Sequence, residues 1–202
     1  SDILALKYRP KDFSDLIGQE YLVDTIQKSI QLNKIPNAYI FTGIRGVGKT
    51  TTARIVAKML NCTAFDNSNK PDLLNCEQAK AITEDRHPDV IEIDAASNTS
   101  VENAREIIEN VKYNPVLGKY KVYIIDEVHM LSKSAFNALL KTLEEPPPHS
   151  KFIFATTEIS KVPITILSRC QRFDLRRIDK KVLSLFLETI ANKENILIEK
   201  EA

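Results

Sequence analysis

Gly43-Ile44-Arg45-Gly46-Val47-Gly48-Lys49-Thr50 is entered through the apolar run Ala38-Tyr39-Ile40-Phe41 and left through Thr51-Thr52-Ala53-Arg54-Ile55-Val56-Ala57-Lys58. This reads as a phosphate-binding loop between a strand and a helix. Three glycines let the backbone curl so that successive N–H groups point into one anion-sized hollow, and the helix that follows adds the positive end of its dipole. At that spacing Lys49 reaches the β and γ phosphates and the Thr50 hydroxyl stands ready to ligate Mg²⁺. The pattern G-x₄-G-K-[ST] arises by chance in roughly one chain in a hundred of this length. The strand before it and the Ala/Val/Ile-periodic helix after it make chance rarer still.

Working outward, 202 residues suffice for one α/β domain and part of another, with ordinary apolar content. Lys and Arg number 28 against 27 Asp and Glu, so composition alone does not point to nucleic acid, and any DNA contact must come from a local patch or from helix N-termini. No apolar run reaches the length of a membrane span, and Ser1-Asp2-Ile3-Leu4 lacks a signal pattern. A cytoplasmic protein with no membrane partner is expected. Cys62, Cys76 and Cys170 are too few, and odd in number, for a disulfide framework.

Before the loop, Pro10 keeps Tyr8-Arg9-Pro10-Lys11-Asp12-Phe13 out of a regular helix. An amphipathic helix is expected from Tyr21 to Leu32, on Leu22, Ile26 and Ile30. After the loop helix the pattern breaks between Cys62 and Arg86, and Thr63 to Asn75 reads as a polar surface loop. A strand is expected at Asp89-Val90-Ile91-Glu92-Ile93-Asp94. Ser97-Asn98-Thr99-Ser100 then gives an N-cap signal for a helix on Val101, Ala104, Ile107, Ile108 and Val111.

Lys121-Val122-Tyr123-Ile124-Ile125-Asp126-Glu127 is a buried-looking strand that ends in two carboxylates. Unpaired buried charge is costly, and the C-terminal edge of an open α/β sheet is where ligands bind. Asp126 is the candidate for the Mg²⁺ shell and Glu127 for polarising the attacking water. Lys151-Phe152-Ile153-Phe154-Ala155-Thr156-Thr157 ends in polar residues at the same edge, where Thr157 can hold that water or touch the γ-phosphate. Arg169, far along the chain from the loop, suits a finger offered to a neighbouring subunit.

Taken together the chain resembles an AAA+ ATPase of the clamp-loader branch. The resemblance rests on Tyr8-Arg9-Pro10 with Phe13, Ile17-Gly18-Gln19, the phosphate loop, and Ile124 to Leu131. It continues through Asn137 to Pro147 (Asn-Ala-Leu-Leu-Lys-Thr-Leu-Glu-Glu-Pro-Pro), Ala155-Thr156-Thr157 and Ser168-Arg169-Cys170. The implied fold is a P-loop core with a five-stranded parallel sheet over residues 1–177, carrying an insertion at about 62–86. The start of a helical lid is implied at 178–202, as though the chain were a fragment ending inside that lid. By the same resemblance ATP and Mg²⁺ are held by Gly43, Gly46, Val47, Gly48, Lys49, Thr50 and Thr51, with Asp126 on the metal. Glu127 is the base, Thr157 senses the γ-phosphate, and Arg169 acts in trans. Tyr8, Arg9, Pro10 and Ile17 border the adenine. The implied partners are other clamp-loader subunits, a sliding clamp and primer-template DNA, in a motor that loads the clamp during replication.

The family's four-cysteine zinc module is matched only by Cys62 and Cys76, because Leu73 and Ala79 stand at the other two positions. Zinc is therefore not expected, since a structural site wants four ligands. Two alternatives stay open: a nucleotide-binding assembly module with little hydrolysis of its own, and a small-subunit clamp loader of archaeal or eukaryotic type.

Overall fold

The structure, a computed structural model, describes residues 20–97, 104–176 and 180–196. Five strands form one parallel sheet: β1 (Ala38–Thr42), β2 (Val90–Asp94), β3 (Lys121–Asp126), β4 (Ser150–Thr156) and β5 (Gln171–Asp174). Their spatial order is β2-β3-β4-β1-β5. The helices are α1 (Glu20–Gln31), α2 (Lys49–Asn61), α3 (Glu77–Thr83), α4 (Ala104–Glu109), α5 (Lys133–Glu144), α6 (Ile164–Leu167) and α7 (Lys180–Glu194).

Alternation along the strands sorts the core into two layers. Tyr39 and Phe41, Val122 and Ile124, and Ile153 face one side with Leu22 and Ile26 of α1, Ile55 and Met59 of α2, and Ile82 of α3. Ile40, Tyr123, Ile125, Phe152 and Phe154 face the other with Ile108 of α4, Leu139 of α5 and Ile166 of α6. A parallel sheet covered on both faces carries continuous apolar strands, which is why β1 and β4 are buried throughout. The fold is the AAA+ P-loop architecture. Because β4 lies between β1 and β3, the chain ends leaving all three strands converge on one edge of the sheet.

The insertion differs from a simple surface loop. Residues 63–70 are mostly exposed, but Pro71, Leu73 and Cys76 turn inward, and α3 follows where no regular element was expected. Cys62, Leu73, Cys76 and Ala79 all join the core layer beside α2. Small and apolar side chains there supply enough buried surface to order the segment. The Cys62 thiol donates to Ala64 O at 3.0 Å, and burial pushes it up to about 12. His87 is engaged with Gln78 Oε1 and accepts the Asp89 N–H. Among the described residues no third His, Cys, Asp or Glu joins Cys62 and Cys76 in a group that could hold a metal ion, where structural zinc takes four ligands; the three cysteines are all free.

Candidate functional site

The loop after β1 takes a backbone path that side chains resist. Gly43, Gly46 and Gly48 have φ of 152°, 83° and 97°. At Gly43 space is short as well, because a Cβ there would meet Leu175 O and Val47 Cγ1 at 2.8 Å. Lys49, in the first turn of α2, donates from Nζ to Gly43 O at 2.7 Å and to Ile44 O at 2.9 Å. Burial lowers the pKa of its ammonium from the usual lysine value, while the carboxylates of Glu127 and Asp126 pull it back up. Val47 packs into the core behind the loop.

Asp126 closes β3 with Oδ1 accepting the Glu127 N–H at 2.9 Å and Oδ2 accepting Thr50 Oγ1 at 3.3 Å. Burial raises the pKa of this carboxyl, and neighbouring Glu127 and Asp94 add to the rise against the hydrogen bonds that lower it. A paired hydroxyl and carboxylate are the hard oxygen donors that Mg²⁺ takes, so the residues present fit that ion. Glu127 lies beyond the strand, with φ 51° and ψ 48°. This left-handed backbone swings its side chain away from Asp126's path and towards β4, where Thr157 Oγ1 donates to Glu127 Oε2 at 2.9 Å.

These groups line one cavity of 630 Å³, together with Arg45, Gly46, Gly48, Thr51, Asp94 and Ala96. Lys49, Thr50, Asp126, Glu127 and Thr157 are thus brought together from three chain ends. Gly43 contributes its carbonyl to Lys49. Arg169 stands apart: its Nη1 donates to Thr165 O at 2.7 Å and its Nη2 is 3.6 Å from Glu144 Oε1. Tyr8, Arg9, Pro10 and Ile17, expected at the adenine, lie outside the described residues, as do positions 98–100 of the expected helix cap.

Sequence reasoning missed Asp94, which sits in register with Asp126 on the neighbouring strand. The signal was present, since Val90 to Asp94 ends in a carboxylate as Lys121 to Asp126 does. It also missed His129, whose ring touches Thr156 Oγ1, Glu158 and Glu127. Only the adjacency of β3 and β4 brings those residues together.

The family model described as DNA polymerase III, delta subunit, matches residues 18–179. The chain is 50% identical over 200 residues to DNA polymerase III subunit tau/gamma of Haemophilus influenzae, an alignment that covers 99% of this chain and 29% of that protein. It is 48% identical over 200 residues to DNA polymerase III subunit gamma of Buchnera aphidicola, covering 99% of this chain and 54% of that one. It therefore spans about a third to a half of the length of these relatives. Among solved structures, the RuvB Holliday junction branch migration motor of Thermotoga maritima superposes with a TM-score of 0.65 at 20% identity, over 95% of this chain and 56% of that one. A DNA polymerase III gamma subunit-related protein of Thermotoga maritima gives 0.52 at 24% identity, over 86% and 51%. At such identities the likeness speaks for the fold alone. The family model and the sequence relatives carry more: the chain belongs to the DNA polymerase III, delta subunit, family and within it resembles the tau and gamma subunits.

Proposed function

We propose that the chain is the ATP-binding and hydrolysing part of a bacterial clamp-loader subunit that places a sliding clamp on primed DNA. The observation that carries this reading is the single cavity in which the phosphate loop meets Asp126, Glu127 and Thr157. On this reading the loop N–H groups and Lys49 hold the β and γ phosphates, which means Lys49 leaves the carbonyls of Gly43 and Ile44 for the nucleotide. Thr50 and Asp126 hold Mg²⁺, which when bound neutralises charge on the phosphates. Glu127 takes a proton from water as its oxygen bonds to the γ-phosphorus and the bond to the β–γ bridging oxygen breaks, giving ADP and phosphate. Thr157 keeps the Glu127 carboxylate facing that position.

Arg169 lies in another part of the surface from this cavity, which favours its use on a neighbouring subunit's nucleotide. Such a residue is worth roughly 10³ to 10⁵ in rate. The same observation favours slow hydrolysis by the chain alone. For DNA, a groove between α4 and α5 is lined by Arg105, Lys133, Asn137 and Lys141, side chains of the kind that contact phosphates, and also by Glu109, whose carboxylate lies 3.6 Å from the Arg105 guanidinium.

The test is steady-state ATPase of the full-length chain with its partner subunits, clamp and primed DNA, with and without Glu127→Gln. Turnover that rises with partners and DNA and falls at least about a hundredfold in the variant supports the reading. Unchanged turnover in the variant removes Glu127 as the base.

A further inference from the structure

Behind Glu127 lies a buried imidazole that none of these steps uses. His129 belongs to the tight turn Val128–Met130 that follows β3, and its side chain is 3% exposed. Nδ1 is 2.8 Å from Thr156 Oγ1, and Nε2 is 3.1 Å from Glu158 Oε2 and 3.5 Å from Glu127 Oε2. Thr156 Oγ1 also accepts the Glu158 backbone N–H at 3.0 Å. Carboxylates only accept, so in the neutral ring the proton is assigned to Nε2, between two of them, and Nδ1 accepts the Thr156 hydroxyl. The imidazole thus joins the end of β4 to the residue that follows β3.

We propose that His129 is a positioning residue for Glu127, holding its carboxylate in the orientation that hydrolysis needs; this rests on the reading of Glu127 as the base. The left-handed backbone at Glu127 points the side chain across to β4 but does not by itself fix its outer torsions, because the terminal torsion of a glutamate is broad. Two contacts do. Thr157 Oγ1 reaches Oε2 at 2.9 Å, and the His129 Nε2–H faces the same oxygen. Thr157 hydrogen-bonds Oε2 and the ring stands 3.5 Å from the same oxygen, which leaves Oε1 to receive the proton of the water. Glu158 is the second acceptor and keeps the buried N–H satisfied whichever way Glu127 leans. Thr156 anchors the ring from behind, and as part of β4 it is fully buried. Among the described residues, removing the imidazole leaves the Glu127 carboxylate hydrogen-bonded through Thr157. Lys49, Thr50 and Asp126, which would hold the nucleotide, do not touch the ring.

The expected signature is a fall in kcat of about tenfold for His129→Ala with nucleotide affinity kept, since a small misplacement of a catalytic group is costly. His129→Gln, whose amide N–H reaches as far as Nε2, recovers most of the loss. His129→Asn, which reaches only as far as Nδ1, does not. Thr156→Val keeps the side-chain shape, removes the anchor, and lowers kcat about threefold. The experiment measures single-turnover ATP hydrolysis and equilibrium binding of a fluorescent ATP analogue, using the full-length chain in its assembly with clamp and primed DNA. Glu127→Gln is measured alongside. An unaffected kcat in His129→Ala, with Glu127→Gln inactive, overturns the positioning role alone. So does loss of affinity and melting temperature in step with kcat without recovery by glutamine. An active Glu127→Gln overturns the base assignment itself and the positioning role with it.

Discussion

Two aspartates at opposite ends of the same sheet have carboxyl groups displaced in opposite directions. Asp89, just before β2 and 1% exposed, accepts three backbone N–H groups, from Val116 at 2.6 Å, Leu117 at 2.7 Å and Gly118 at 2.6 Å. Burial pushes this carboxyl up, but the three donors, with His87 nearby, outweigh it and hold it below its ordinary value. Beside it Asn61 closes a double hydrogen bond with the Tyr120 backbone, 3.0 Å from Nδ2 and 2.8 Å to Oδ1. A Cβ at Gly118 would sit 2.8 Å from the Asn61 side chain. Asp126, at the cavity edge, has one backbone donor and one threonine hydroxyl, and two further carboxylates nearby, and its pKa is raised. The three backbone donors at Asp89 are already taken by a buried carboxylate, whereas the hydroxyl and open cavity beside Asp126 can accept a ligand. The first arrangement is structural, and the second has oxygen donors that fit a cation.

The sharpest way to break that contrast is at Lys49. Lys49→Ala is expected to lower turnover at least about a hundredfold, the scale for losing one charged donor at a reacting centre. Because its ammonium is hydrogen-bonded to the loop carbonyls of Gly43 and Ile44, the melting temperature is expected to change little. ATPase assay beside thermal denaturation checks both, and a large loss of stability would place Lys49 among the structural groups.

Asp89→Asn comes next. An amide cannot accept three N–H groups as a carboxylate does, and the loss is about 3 kcal/mol by chemical denaturation. Asp126→Asn, by contrast, is expected to leave stability unchanged or raise it by about 1 kcal/mol, since it removes a like charge, while weakening Mg²⁺-dependent nucleotide binding. Equal destabilisation by the two changes would erase the distinction between the two ends.

The pH dependence has a definite sign at Asp89. Its folded pKa lies below its unfolded value, so its stabilisation is present above the unfolded value and is lost as pH falls through the folded one. Denaturation midpoints of the parent chain should therefore fall on acidification more steeply than those of Asp89→Asn. Parallel curves would show that the three hydrogen bonds carry little.

The smallest effect is expected in the middle of the sheet. The Tyr39 hydroxyl is buried with no hydrogen-bond partner among the described residues, so it belongs to neither end. Tyr39→Phe is expected to stabilise the chain by up to about 1 kcal/mol, because it removes a desolvated polar group. A loss of stability in denaturant titration would mean that the hydroxyl has a partner after all.

Much of this was legible in the sequence because the relevant signals are local. Gly43 to Thr50 carries its own strand, turn and helix, and Asp126 with Glu127 follows four consecutive apolar residues. Thr157 was reached by the same argument about strand ends. What escaped depends on neighbours distant in the chain. His129 meets Thr156 only because β3 pairs with β4, and the left-handed backbone of Glu127 has no glycine to announce it. In the insertion, Leu73 and Ala79 at two positions where zinc ligands were looked for told what was missing. Their inward packing beside Cys62 and Cys76 became visible only with α2 in place.

The position of β1 has a consequence for the order in which the protein comes off the ribosome. β1 pairs with β4 and β5, the last two of the five described strands in chain order, although it is itself the first of them. Its five wholly buried residues, and the phosphate loop after them, therefore wait for partners until residues 150–156 have emerged. Such delayed, non-local pairing folds slowly and leaves apolar strand exposed in the meantime. A nascent chain halted between β3 and β4 would hold most of the residues that line the cavity and no shared edge on which to assemble them.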